Sequence, residues 1–224
     1  MREPVPHGRR FVGDYRQAVL EPERELTTGR AYRVGGIALG GAVTLALPST
    51  FPSDGGPSEL DDSLAEPVHT ALDSHHGVAD VLVIPSNAYI LLPLLLLGCA
   101  WFGYRREWSR AALMLVAPEL IVAINTWLLK PLWHRHLHDY LAYPSGHTVH
   151  LVAIATAFIV LTDSPRARAV VLTVSVVGLA AAAVGMIALG YHLPTDILGG
   201  IAAAIALTTA LCWAAQAVIS RAIR

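Results

Sequence analysis

Two short segments of the sequence combine residue types that could bind and attack a phosphate group. The first, Pro144-Ser145-Gly146-His147, stands directly before an apolar run. A hydroxyl at a helix cap and free backbone amides at the positive end of the helix dipole together suit an anion. We therefore expect Ser145 and Gly146 to contact a phosphate group.

The second segment runs from Gly190 to Asp196 and contains His192 and Pro194. The spacing of His192 and Asp196 across a proline turn lets the carboxylate reach back to one imidazole nitrogen. A carboxylate held there fixes the tautomer of the ring and leaves the other nitrogen free as a nucleophile. His192 is therefore the candidate nucleophile, and Asp196 is the residue that orients it.

Membrane-spanning helices must position these segments. Apolar residues make up 54% of the 224 residues and charged residues 15%, whereas a soluble domain has about 25% charged residues. An apolar stretch of about 20 residues crosses a bilayer as a helix that satisfies its own backbone groups. We predict an all-α polytopic membrane protein with a six-helix transmembrane bundle. The predicted spans are Val34–Phe51, Val83–Tyr104, Ala111–Leu129, Thr148–Thr162, Val170–Tyr191 and Ile197–Ile219.

The basic residues indicate how the bundle is oriented. We assign residues 1–33 to a cytosolic amino-terminal tail, residues 34–220 to the membrane domain and residues 221–224 to a cytosolic tail. Fourteen of the 16 Lys and Arg residues then lie on the cytosolic side, whereas residues 52–82 carry seven acids and no Lys or Arg. This asymmetry follows the positive-inside rule. It predicts a plasma (cytoplasmic) membrane protein with both termini in the cytosol and an extracytoplasmic loop at 52–82, which can form a surface helix.

Lys130 and Arg135 break this pattern, because both lie in the predicted outer loop that leads to Pro144. Positive charge placed against the topological preference is explained most simply by a bound anion. Contact with lipid headgroups is the alternative. Both side chains are therefore candidate phosphate ligands at a site on the extracytoplasmic face.

Taken together, these segments resemble the type 2 phosphatidic acid phosphatase superfamily of integral membrane lipid phosphatases. The resemblance rests on Pro144-Ser145-Gly146-His147, on Leu189 to Asp196 about 45 residues later and on Lys130 upstream, and it spans roughly residues 85–215. It implies a metal-independent two-step phosphoryl transfer that uses no cofactor. The substrate would be a lipid phosphomonoester or pyrophosphate of the polyprenyl diphosphate or phosphatidate type.

The resemblance also implies a role for each site residue. His192 would attack phosphorus and form a phosphohistidine, while Asp196 orients it. His147 would protonate the leaving oxygen and then assist the hydrolytic water as a general base. Three further groups would hold the phosphoryl oxygens as charge develops: Lys130, Ser145 and the Gly146 amide.

Two positions depart from the family pattern. Leu137 stands where the family has an arginine after the lysine, and Met186 stands where it has an arginine six residues before the nucleophilic histidine. A planar, bidentate phosphate clamp is not replaced by an apolar side chain. We expect Arg135, or a protonated His134 or His136, to compensate.

Two polar side chains lie inside predicted spans. Glu119 is expected to pair with Asn125, Ser175 or a freed backbone group, although an intramembrane carboxylate can also serve a proton relay. His150 is expected either to support His147 or to bond to a neighbouring helix.

The departures at two arginine positions keep two other functions open. One is a catalytically weakened relative that binds a phosphorylated lipid or a partner protein. The other is lipid translocation or transport, for which Glu119 is the only indication. We expect a lipid phosphate as the partner, no nucleic acid, and no metal or cofactor. The sequence does not define an oligomeric state.

Overall fold

The chain folds into apolar helices with one small hairpin between them. The computed structural model describes residues 29–222. Within this part of the chain the helices are α1 Gly29–Thr50, α2 Glu59–Leu72, α3 His76–Val83, α4 Ala88–Tyr104, α5 Trp108–Ile124, α6 Lys130–Trp133, α7 Gly146–Leu161, α8 Pro165–Ala188 and α9 Pro194–Ala222, and the strands are β1 His136–Leu137 and β2 Tyr140–Leu141. The last turn of α1, Leu47–Thr50, is a 3-10 helix.

Length and composition assign most of these helices to a membrane. Five helical stretches within residues 29–222 are long and apolar enough to cross one: Gly29–Thr50, His76–Tyr104, Trp108–Trp133, Pro165–Ala188 and Pro194–Ala222. A sixth apolar helix, α7, has 16 residues and is about 24 Å long at 1.5 Å per residue. The predicted all-α polytopic membrane architecture is confirmed.

Several helical stretches begin before, or end after, the apolar runs that predicted them. The second stretch begins with α3 and a 3-10 turn, Ile84–Ser86, before α4. The third continues from α5 through a π-helical turn, Asn125–Leu129, into α6. Helical backbone hydrogen bonding thus continues beyond the end of the third apolar run. Lys130 therefore lies on a helix rather than in a loop.

The structure places the ends of the membrane helices inside the predicted tails. Residues 29–33 already belong to α1, and residues 221–222 still belong to α9. Residues 1–28 and 223–224, which make up the rest of both tails, lie outside the described residues.

α7 lies at the centre of the bundle, where it packs against α5, α8 and α9. Its approach to α9 depends on Gly200, because a Cβ there would lie 2.9 Å from Thr148 Cβ and 3.0 Å from the Ser145 carbonyl oxygen. The Ser145 amide also donates to the Asp196 carbonyl oxygen at 3.0 Å. The first turns of α7 and α9, which carry the two candidate segments, are therefore neighbours.

α2 and α3 form the segment that joins α1 to α4. Ser58 and Asp61 make a capping box at the start of α2, since each side chain accepts a hydrogen bond from the backbone amide of the other. Val68 of α2 packs into an apolar cluster with residues of α8. α3 contacts α8 at Gly185, where a Cβ would lie 2.6 Å from the Val83 nitrogen. The segment is therefore packed onto the bundle.

The chain from Arg135 to Ala142 folds as a hairpin. β1 and β2 are antiparallel, with Leu137 opposite Tyr140. Tyr143, just after the hairpin, is buried and donates to the Thr44 carbonyl oxygen at 2.7 Å. Its ring fills the space beside Gly199, where a Cβ would lie 2.1 Å from Tyr143 Cε2. This tyrosine anchors the hairpin to α1 and α9.

Candidate active site

A pocket of about 780 Å³ opens beside the first turn of α7. At Gly146 the pocket is open, because a Cβ added there would meet no atom within 4 Å. Most of the other lining residues are polar or aromatic and come from the ends of helices and from the hairpin. The polar side chains are Ser86, Thr126, Lys130, Tyr140, His147, His150, Tyr191 and His192.

His147 and His192 are neighbours in this pocket. Their ring centroids lie 5.9 Å apart and the ring planes meet at 72°. The first turn of α7 carries His147, and the turn between α8 and α9 carries His192. Two imidazoles held on separate elements in this way can act on one bound group, one as nucleophile and the other as acid or base.

Asp196 lies behind His192, on the side away from the pocket. His192 Nδ1 lies 3.7 Å from Asp196 Oδ2, which is longer than a hydrogen bond, and this nitrogen has no hydrogen-bond partner in the described part of the chain. Oδ2 accepts a hydrogen bond from the Leu193 amide at 3.0 Å. Since Nδ1 is the ring nitrogen nearer the carboxylate, Nε2 is the nitrogen left for a substrate.

Ser145 has a different position from the one expected of a phosphate ligand. Its side chain is buried as the N-cap of α7 and accepts hydrogen bonds from the Thr148 amide at 3.4 Å and the Thr148 hydroxyl at 3.2 Å. The Ser145 hydroxyl also approaches Met186 Sδ at 4.0 Å. The helix start needs this hydroxyl as its cap, so Gly146 rather than the serine side chain faces the pocket.

Lys130 lines the pocket from the first residue of α6. Its ammonium group donates to the Leu141 carbonyl oxygen, and because an ammonium has three N–H donors, two are left for another acceptor. Tyr140 donates to the Tyr191 carbonyl oxygen, which joins the hairpin to the turn that carries His192. Among the described residues, Lys130 is the one Lys or Arg that lines this pocket.

Arg135 contradicts the expectation that it binds phosphate from the pocket. The residue is 2% exposed, and the Phe51 ring covers its guanidinium at 3.8 Å. A guanidinium has five N–H donors, and here each has an acceptor, so none is left for a phosphate. The acceptors are the carbonyl oxygens of Gly55 at 3.3 Å and Gly56 at 2.9 Å, Asp61 Oδ2 at 2.7 Å, Thr195 Oγ1 at 2.6 Å and Asp196 Oδ1 at 3.0 Å.

Asp61 and Thr195 complete this buried network, and neither was a predicted site residue. Asp61 Oδ1 accepts from the Thr195 amide at 2.8 Å and from its hydroxyl at 2.7 Å. Burial alone would raise the pKa of Asp61, but hydrogen bonds from Ser58, Arg135 and Thr195 together hold the pKa below its ordinary value. The capping-box spacing of Ser58 and Asp61 indicates a helix start in the sequence, but nothing local indicates the pairing with Arg135, 74 residues away.

His134 and His136, the other residues expected to compensate for missing arginines, do not line the pocket. His134 Nδ1 lies 2.5 Å from the Pro131 carbonyl oxygen, and His136 Nδ1 lies 3.1 Å from the His134 carbonyl oxygen. Within residues 29–222, no three His, Cys, Asp or Glu side chains are grouped so as to hold a metal ion.

Comparison with known proteins identifies the family to which the chain belongs. The sequence profile of the PAP2 superfamily matches residues 88–220, which is more than half of the chain. The chain belongs to the PAP2 superfamily. Its fold is also similar to that in the crystal structure of the first transmembrane PAP2 type phosphatidylglycerolphosphate phosphatase from Bacillus subtilis, with a TM-score of 0.59 and 19% identity over 84% of this chain and 96% of that chain. No protein of curated function matches the sequence.

Membership in the PAP2 superfamily confirms the resemblance seen in the sequence and supports a phosphoric ester hydrolase of the membrane. The matched residues, 88–220, include Lys130, His147 and His192. They begin after α3, so Asp61 lies outside the part of the chain that matches the PAP2 superfamily.

The two positions at which the sequence resemblance led us to expect arginines hold apolar side chains. Met186 is fully buried in α8, and Leu137 is half-buried in β1. Neither side chain can donate a hydrogen bond to a phosphate oxygen. Among the described residues, the cationic groups available to an anion in the pocket are therefore Lys130 and protonated histidines.

An imidazole–carboxylate pair adjoins the pocket of this PAP2 protein. His150 lines the pocket one turn beyond His147, and His150 Nε2 lies 2.9 Å from Glu119 Oε1. Glu119 therefore pairs with His150 and not with Asn125 or Ser175 as expected. α5 and α7 are joined by this contact.

Proposed function

We propose that the protein is an integral membrane lipid phosphatase that hydrolyses a lipid phosphomonoester or pyrophosphate through a phosphohistidine intermediate. One observation carries the proposal: the ring centroids of His147 and His192 lie 5.9 Å apart in one pocket, and Asp196 lies behind His192. A nucleophile, a general acid–base and a carboxylate that orients the nucleophile are the groups that such a transfer requires.

In the first step, Nε2 of His192 attacks phosphorus and the bond from phosphorus to the leaving oxygen of the lipid breaks. His147 gives its proton to that oxygen. The His192 ring becomes positive when it is phosphorylated, and the carboxylate of Asp196 stabilises this charge. Two groups donate to the remaining phosphoryl oxygens: the Lys130 ammonium and the Gly146 amide.

In the second step, His147 accepts a proton from a water molecule whose oxygen attacks phosphorus. The bond from phosphorus to His192 breaks and inorganic phosphate leaves. The two imidazoles supply the nucleophile and both proton transfers, so the proposed cycle is independent of a metal ion. His147 is then protonated and ready for the next substrate molecule.

The substrate class follows from the position of the pocket at one end of α7. A lipid can place its phosphate in such a pocket while its hydrocarbon chains stay in the bilayer. Polyprenyl diphosphates and phosphatidate-type lipids both meet this condition. The protein of similar fold from Bacillus subtilis is a phosphatidylglycerolphosphate phosphatase, which also supports a lipid phosphate. The charge asymmetry of the sequence supports a site on the extracytoplasmic face of the plasma membrane, with both termini in the cytosol.

Phosphate release from defined lipids in proteoliposomes tests the proposal. We expect wild type to release phosphate from at least one of phosphatidate, phosphatidylglycerolphosphate and a polyprenyl diphosphate. His147→Ala should lower the rate about 100-fold or more, because a general acid–base contributes that much, and His192→Ala should lower it further. Equal rates for wild type and His192→Ala would overturn the proposal, and loss of wild-type activity in a chelator would overturn the metal-independent mechanism.

A second function, binding of a lipid phosphate without turnover, is favoured by one observation. Leu137 and Met186 remove two cations of the PAP2 pattern, and Arg135 does not replace them. In this case wild type and His192→Ala would bind vesicles that contain the lipid phosphate equally well and release no phosphate. Lys130→Met would abolish the binding.

A further inference from the structure

The buried guanidinium of Arg135 is linked to the proposed nucleophile, His192, through one intervening residue. Its Nη1 donates to Asp196 Oδ1 at 3.0 Å. The other oxygen of the same carboxylate, Oδ2, lies 3.7 Å from His192 Nδ1. Asp196 therefore stands between a fixed arginine and the imidazole that would attack phosphorus.

We propose that Arg135, balanced by Asp61, is a positioning residue that acts on His192 through Asp196. The inference rests on the proposed function and assigns Arg135 a role other than phosphate binding. Its basis is that all five donors of the guanidinium are occupied, that the side chain is buried, and that one carboxylate links it to His192.

Arg135 fixes the plane of the Asp196 carboxylate. The Leu193 amide holds Oδ2 and Arg135 holds Oδ1, so a donor on each oxygen prevents the group from turning about its side-chain bonds. Oδ2 consequently stays directed at His192. Without Arg135, Oδ1 would lose its donor and the carboxylate could turn away, and the imidazole would no longer be held in one orientation and tautomer.

Asp61 determines how much negative charge Asp196 keeps. Asp61 Oδ2 accepts from the Arg135 guanidinium at 2.7 Å, so one positive group is shared between two carboxylates. The two carboxylates and the guanidinium together have a net charge of −1. This charge lies next to the His192 ring, which becomes positive on phosphorylation. If Asp61 were neutral, the guanidinium would cancel the charge of Asp196 and the ring would lose that stabilisation.

This arrangement makes α2 a contributor to the site. Asp61 lies in the first turn of α2, where the Ser58 capping box fixes it. Residues 88–220 match the PAP2 superfamily, so the Arg135–Asp61 contact joins the shared part of the chain to a segment that precedes it.

Steady-state kinetics in proteoliposomes test the inference through a double-mutant cycle. Arg135→Met should lower kcat about 10- to 100-fold, as the loss of a partner that orients a functional imidazole typically does, with little change in KM. In an Asp196→Asn background the same substitution should have less than about a twofold further effect, because residues that act through one contact are not additive.

A direct phosphate contact by Arg135 predicts different numbers. KM and the inhibition constant of inorganic phosphate would rise severalfold on Arg135→Met, and the rate would fall by the same factor with and without Asp196→Asn. Either result would overturn the inference. A purely structural role predicts that kcat per folded molecule is unchanged while the folded fraction falls, which would also overturn it.

Asp61→Asn is the second test, because it keeps the size of the side chain and still accepts hydrogen bonds. It should lower kcat severalfold with KM unchanged, and it carries the test if Arg135→Met does not fold. Arg166→Met, which changes an exposed arginine in the first turn of α8, is the matched control and should leave kcat and KM unchanged.

Wild type and His192→Ala are measured in the same series, so that two failures can be told apart. Absence of phosphate release by wild type would overturn the proposed function, and the inference with it. Phosphate release that depends on His192 but is unchanged in both Arg135→Met and Asp61→Asn would overturn the inference alone.

Discussion

Lys130 and Arg135 lie five positions apart in the sequence and have opposite surroundings. Lys130 lines the pocket and donates to one carbonyl oxygen, whereas Arg135 is buried and donates to five oxygens. The pocket keeps two unused N–H donors on the Lys130 ammonium. The network around Arg135 uses every donor it has.

The difference shows what separates a binding cation from a structural one. Both residues place positive charge against the topological preference, so charge alone marks both as anion ligands. Burial and the count of occupied donors distinguish them, because a guanidinium whose five N–H groups are all bonded cannot bind substrate without breaking its own contacts. The pocket and the network should therefore respond differently to substitution.

The largest effect is expected in the pocket, from loss of the nucleophile. His192→Ala should lower phosphate release at least about 1,000-fold, since removal of a nucleophile leaves only binding and electrostatic stabilisation. The melting temperature in micelles should stay close to that of wild type. His76→Ala, an exposed histidine at the start of α3, is the control and should leave the rate unchanged.

Loss of the pocket cation should have the next largest effect. Lys130→Met should lower kcat about 100- to 1,000-fold, the range found when a donor to developing charge is removed. The free energy of unfolding should change by less than about 1.5 kcal/mol, because one net hydrogen bond is lost. A large loss of stability with normal kcat would show that Lys130 is a structural cation like Arg135, and would contradict the contrast between the two residues.

Substitutions in the network around Arg135 should lower the free energy of unfolding by an amount that depends on pH. The pKa of Asp61 is held below the ordinary 3.8, so its contribution is fully present above that pH and is lost as pH falls through the lower, folded-state pKa. Asp61→Asn should cost about 1–3 kcal/mol at pH 7. Denaturant unfolding in micelles should show this difference shrinking below pH 4, and a difference that stays constant down to pH 2 would contradict the assignment.

The smallest effect is expected at Met186. Met186 is buried between Ser145 and the apolar cluster around Ala65 and Ile197, so it serves packing. Met186→Leu should change the free energy of unfolding by less than about 1.5 kcal/mol and leave kcat within about twofold, as measured in proteoliposomes. A loss of kcat beyond tenfold would give the thioether a role in the pocket.

Most of the fold could be predicted from the sequence because lipid demands long apolar helices. The spans were predictable for that reason, whereas the helix ends were not, since caps such as Ser145 and turns such as Asn125–Leu129 extend helices beyond their apolar runs. The two segments around His147 and His192 were also predictable, because the residues that form each motif are close together in the sequence.

The environment of Arg135 could not be predicted, because its acceptors come from distant parts of the chain. Asp61 is 74 residues away and Thr195 is 60 residues away, and no periodicity links them. The position of the Ser145 hydroxyl was missed for a related reason: the same group suits a helix cap and a phosphate contact, and only the packing of Thr148 decides between them.

Trapping of the phosphorylated protein tests the central claim most directly. Wild type in proteoliposomes is mixed with ³²P-labelled lipid phosphate, quenched within milliseconds and analysed for label that is stable in alkali and labile in acid. We predict label on His192 in wild type and none in His192→Ala. Phosphate release without label on His192, or equal labelling of His192→Ala, would contradict the account.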